Sequence, residues 1–119
     1  MINLDENQKE IIAQTVERYG NKQLMQAVEE MAELMQAISK YTRTDPSSYN
    51  DVTDLREKIT ENKNNIVEEM ADVYIMLEQL QCMLDIKNED IQAFIEMKLN
   101  RQQVRNEQFK KRTLWYGRA

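Results

Sequence analysis

Helix-breaking residues are nearly absent from this chain of 119 residues, which holds two glycines and one proline. These are the residues that cost a helix interior most, about 1 and 3 kcal/mol relative to alanine. Leu, Met, Ala, Glu, Gln, Lys and Arg are common, and all are strong helix formers. The chain therefore reads as all-α, a single domain over 1–119 with its core at about 5–109. Four segments are expected. The first runs from an N-cap at Asp5 to Tyr19 and stops at Gly20; the second follows Asn21 and reaches about Thr42. The stretch "TRTDPSSYND", with Pro46, is the one clear internal loop. A third helical region starts near Asp51, crosses the weak patch "TENKNN", and is strongest from Asn65 to Leu84. The segment "DIKNED" turns the chain, Asn88 is placed to cap a fourth helix, and that helix is expected to extend towards Phe109. Residues 110–119, "KKRTLWYGRA", read as a basic and aromatic tail in which Trp115 and Tyr116 anchor the end.

Charge and composition exclude several functions. A net charge of −5 is the wrong sign for general nucleic-acid binding, which needs a basic footprint. No stretch approaches the roughly 18 apolar residues of a membrane span, and "MINLDENQKE" lacks the apolar run of a signal peptide. The reading is a soluble, cytoplasmic protein. Histidine is absent, which removes Ser-His and Cys-His catalysis and histidine-ligated zinc. Any metal here would be held by carboxylates, which selects Mg²⁺, Mn²⁺ or Ca²⁺. The single Cys82 stands in apolar helical sequence and is expected to be a reduced core thiol.

Two stretches break the pattern of an ordinary amphipathic helix. "VEEMAELMQAI" begins at Val28 and "VEEMADVYIML" at Val67. At 100° per residue, Leu24, Val28, Met31, Met35 and Ile38 align as the expected core stripe of the second helix, with Ala27, Leu34, Glu30 and Glu33 to one side. On the third helix, Ile66, Met70, Val73, Leu77, Leu80 and Leu84 form the stripe, flanked by Met76, Met83, Glu69 and Asp72. The methionines are expected to fill gaps in this core. Each helix thus carries an i,i+3 carboxylate pair at the rim of its apolar face, with Cβ atoms about 5–6 Å apart. A lone pair of this kind is usually a solvated face. Two of them on neighbouring helices would repel, and a divalent cation offsets that repulsion by binding the deprotonated oxygens.

"EEMAEL" followed by "EEMADV" resembles the EExxE…ExxD signature of the MazG-like, all-α nucleoside triphosphate pyrophosphohydrolases, over roughly Gln23 to Arg105. The resemblance implies a four-helix-bundle core that assembles as a homodimer or homotetramer. It implies Mg²⁺, with Mn²⁺ as a substitute, and cleavage of a (d)NTP between the α- and β-phosphates to (d)NMP and pyrophosphate. By position, Glu30, Glu33, Glu69 and Asp72 would hold the metal, with Glu29, Glu30 and Glu33 as the catalytic acids. On the fourth helix, Lys98 and Arg101 would bind the phosphates, Arg105 lies on the same face, and Asn100 is a further substrate contact. The spacing from Glu69 to Asp72 favours the MazG-like branch over the dimeric dUTPase branch. The positions that fix a base in particular members have no clear counterpart. Three readings stay open: this hydrolase, a related dUTPase-like or phosphoribosyl-nucleotide enzyme, and a non-catalytic helical oligomerisation module.

Overall fold

A computed structural model describes residues 3–116. They form α1 (Glu6–Tyr19), α2 (Lys22–Thr42), a short 3-10 turn (Pro46–Ser48), α3 (Val52–Leu84) and α4 (Asn88–Tyr116), with no strand among the described residues. The described residues are all-α, with four α-helices.

The helix ends follow local chemistry. Asp5 and Gln8 close a reciprocal capping box, with the Gln8 N–H donating to Asp5 Oδ1 at 2.7 Å and the Asp5 N–H to Gln8 Oε1 at 3.0 Å. Gly20 ends α1 at φ +57°, where any side chain would be strained. Asp51 caps α3 by accepting from the Thr53 N–H at 2.9 Å. Asp85 ends α3 in the left-handed region at φ 51°, which Asp tolerates better than most residues with a Cβ.

The chain divides into two compact units at Asp85. In the first, α2 and α3 form an antiparallel hairpin, with α1 against both and closer to α3. Cross-helix bonds give the alignment: Gln23 Nε2 donates to Gln79 Oε1 at 2.7 Å, and Asn62 Nδ2 donates to Thr44 Oγ1 at 2.9 Å. The inner line of α2 is Gln23, Ala27, Glu30, Leu34 and Ala37; that of α3 includes Asn62, Glu69, Val73, Met76 and Gln79. The α2 line recurs at alternating steps of three and four residues, and the α3 line at steps of three, four and seven, the seam spacing of paired helices. Ala27 and Met76 are buried within it, 2% and 4% exposed.

This seam differs from the stripe that hydropathy marks. Val28 and Met35 are 55% and 68% exposed, and Met31, Ile38, Met70, Leu77 and Leu84 also face solvent. The flank holding Ala27, Leu34 and Glu30 is the one that packs. Small Ala27 and Ala37 let the helices approach, and amide side chains bond one another across the gap, so polar residues are accommodated inside. Of the eight methionines only Met76 is a buried apolar residue among those described. Cys82, expected in the core, is exposed. "TENKNN" is fully helical, because Asn62 is buried and bonded to Thr44 rather than left to compete for its own backbone.

In the second unit, α4 runs past the expected end at Phe109 to Tyr116, so most of the basic stretch from Lys110 is helical. Glu89 and Asp90 in its first turn suit the positive end of the helix dipole. The side chains of Trp115 and Tyr116 lie outside the described residues. No helix among the described residues is long and apolar enough to cross a membrane.

The seam gives a direct check. Ala27→Leu adds bulk at a buried position of α2 and is expected to destabilise by about 1–3 kcal/mol. Urea unfolding followed by circular dichroism measures it, and a cost near zero would place Ala27 off the seam.

Candidate metal centre

The acids meet halfway along the hairpin seam. Glu30 comes from α2 on the inner line, Glu33 follows one turn later, and Glu69 faces them from α3. One carboxylate oxygen from each lies within 4.8 Å of the others. Oxygens at that separation are close enough to share one cation. Asp72, one turn beyond Glu69, is half-buried and close enough for its charge to act on both Glu30 and Glu69.

Burial and like charge act together here. Glu30 Oε1 accepts a hydrogen bond from Gln26 Nε2 at 2.8 Å, while Glu30 Oε2 is buried with no hydrogen-bond partner. Glu69 Oε2 is likewise buried and unpartnered. Desolvation raises the Glu30 carboxyl above its ordinary range; the Gln26 bond opposes this, and the charges of Glu33 and Asp72 add to it. Desolvation also raises Glu69, reinforced by Glu33, Asp72 and Glu30. An orphaned buried carboxylate oxygen is costly, and a cation bound between them could satisfy both oxygens at once. The donor set is all oxygen, so it suits a hard divalent ion such as Mg²⁺ or Mn²⁺.

No protein-family model, curated protein or solved structure matches this chain. The chemistry of the centre therefore rests on its own residues. Three of the expected ligands, Glu30, Glu33 and Glu69, are brought together, with Asp72 beside them. Glu29 is exposed and outside the triad. Lys98, Asn100 and Arg101 are exposed on α4 in the second unit, where an Arg101 Nη2 N–H points to Met97 Sδ at 3.8 Å. Gln26 is a contributor that the acidic motif alone does not suggest. Its signal is the i,i+4 spacing to Glu30, which places the two side chains side by side.

The raised carboxyls fix the sign of a pH effect. Groups whose folded pKa lies above the unfolded value stabilise the fold below the unfolded pKa, and that stabilisation is lost as pH rises through the folded pKa. For Glu30 and Glu69 the loss begins just above the ordinary glutamate range, about pH 4–5. In EDTA, the melting temperature is expected to fall as pH rises from 5 to 7 in the part due to these groups. Glu69→Gln, which removes one charge, is expected to melt higher than wild type at pH 7 and to show a flatter pH profile. Scanning calorimetry at both pH values tests this, and a Glu69→Gln variant that melts lower at pH 7 would refute the crowded-charge account.

Proposed function

We propose that the protein is a Mg²⁺-dependent nucleotide pyrophosphohydrolase of the MazG-like kind, cleaving a (d)NTP to (d)NMP and pyrophosphate. The observation that carries this reading is the triad of Glu30, Glu33 and Glu69, offered from two facing helices with two buried oxygens lacking partners. Buried repulsion of this kind weakens the fold and is hard to explain as scaffolding. The EExxE…ExxD pattern supports the same reading.

In this reading Glu30, Glu33, Glu69 and Asp72 hold the cation. When bound, Mg²⁺ neutralises phosphoryl oxygens and lowers the pKa of a coordinated water. The chain supplies the rest. Glu30 is held in place by Gln26, so its free oxygen has a fixed direction. Glu33 is the exposed member of the triad and the carboxylate best placed to take a proton from water arriving from solvent. Exposed Glu29 is assigned to orienting that water. Lys98 and Arg101 are assigned to the phosphates, Arg through a bidentate fork and Lys as a point charge, with Asn100 as a further contact. The work is cytoplasmic nucleotide turnover.

The same reading takes the protein as a homodimer or homotetramer within a four-helix-bundle assembly. It is supported by the exposed apolar residues Val28, Met31, Met35 and Ile38 of α2 and Met70 and Leu77 of α3. A contiguous apolar face is usually covered in a stable protein.

Two measurements test these statements. A panel of NTPs and dNTPs with Mg²⁺, read for pyrophosphate and orthophosphate separately, is expected to give pyrophosphate and a monophosphate. Glu33→Ala is expected to lower kcat by about a hundredfold or more with the helical signal kept. Orthophosphate alone, or full turnover by Glu33→Ala, would overturn the assignment. Sedimentation velocity at micromolar concentration is expected to show dimers or tetramers, and a monomer would contradict the assembly.

A further inference from the structure

The loop end of the α2–α3 hairpin holds a second polar cleft, of about 390 Å³, that the acidic centre does not use. Three cations line it: Lys40 and Arg43 from the end of α2, and Lys58 from the first turns of α3. Their local charge opposes that of the acidic protein around them. Arg43 Nε donates to the Ser39 carbonyl at 3.3 Å, which commits one of the five guanidinium donors. Lys58 has an exposed partner, Glu61, at 3.5 Å, a pairing that solvent keeps weak. Asp45 is the one acid in the lining, and both its oxygens are engaged by Ser47, one by the N–H at 2.9 Å and one by the hydroxyl at 2.7 Å. Those bonds hold its carboxyl below the ordinary range.

The inner wall of the cleft is Asn62, 2% exposed. Its orientation follows from its neighbour. The Thr44 hydroxyl donates to the Lys40 carbonyl at 3.3 Å, so its oxygen is left to accept, and Asn62 Nδ2 donates to it at 2.9 Å. Asn62 Oδ1 is therefore turned the other way, buried and without a hydrogen-bond partner. A bare anion satisfies the cations and leaves this acceptor unmet. A ligand satisfying both must carry a negative group and a donor together.

We propose that this cleft binds a phosphate monoester bearing its own hydrogen-bond donor, with the phosphate on Lys40, Arg43 and Lys58 and an O–H or N–H on Asn62 Oδ1. Arginine and lysine side by side are the usual recognition set for a phosphate. Half-buried Tyr49 lines the same cleft and offers a flat face to a sugar or base. Lys40 lies two helical turns from Glu33, about 10 Å along α2, so binding here does not require the acids or a metal. The donor has two sources, a sugar hydroxyl or a base N–H.

The test is calorimetric titration of the full chain in EDTA with adenosine 5′-monophosphate, ribose 5-phosphate and inorganic phosphate at one ionic strength. At least one ester is expected to bind about tenfold more tightly than inorganic phosphate, a difference of one acceptor satisfied. Equal gains for both esters assign the donor to the sugar, and a gain for the nucleotide alone assigns it to the base. Lys40→Ala and Arg43→Ala change exposed side chains, so the helical signal should persist while affinity falls about tenfold each. Glu33→Ala is expected to bind as wild type does, which separates this cleft from the acidic centre. The proposal is overturned if inorganic phosphate binds as tightly as both esters, if no probe binds at about 10 mM, or if both basic variants keep full affinity.

Discussion

Everything in the hairpin depends on how α2 and α3 tolerate carboxylates between them. Two glutamates with buried, unpartnered oxygens face each other, a third lies within 4.8 Å, and Asp72 adds its charge from one turn away. The helices are held against this repulsion by contacts on both sides: Gln23 bonded to Gln79, with Ala27 and Met76 buried beside them, towards one end, and Thr44 bonded to Asn62 at the other. The two amide pairs also set the alignment. Sliding one helix by a turn would break both bonds.

Crowded like charges disfavour the fold, and the rest of the hairpin must offset them. The proposed cation would relieve the same crowding that raises the Glu30 and Glu69 carboxyls. In that reading, substitutions that calm the cluster raise stability and weaken the binding.

Much of this was legible in the sequence, and the rest was lost for identifiable reasons. Scarce Gly and Pro gave the helical class, and Asp5, Gly20, Pro46 and Asp85 punctuate the chain where local chemistry requires. The acidic quartet was visible from its spacing. Which face packs was not. Hydropathy ranks Val28, Met31 and Met35 above Ala27 and Glu30, but packing distance is set by small residues and by side chains that find polar partners across the gap. The burial of Asn62 and the role of Gln26 depend on those partners, and no single-helix pattern contains them. Cys82 was misplaced by the same reliance on hydropathy. The extension of α4 to Tyr116 continues a run of good helix formers that a charge boundary at Lys110 does not interrupt.

The two EEMA segments run in opposite directions along the seam, so that Glu30 is related to Glu69, and Glu33 to Asp72, by an approximate local two-fold axis through the acid cluster. A helix meeting a copy of itself in a symmetric pair of chains must repeat every change on both sides. Within one polypeptide the two segments need not match, and they do not: the fourth acid, Asp72, is an aspartate, one methylene shorter than its counterpart Glu33. That shortening makes the two sides of the acid cluster unequal. Any ligand seated on the acids would meet two unlike sides, as it would not between two identical helices.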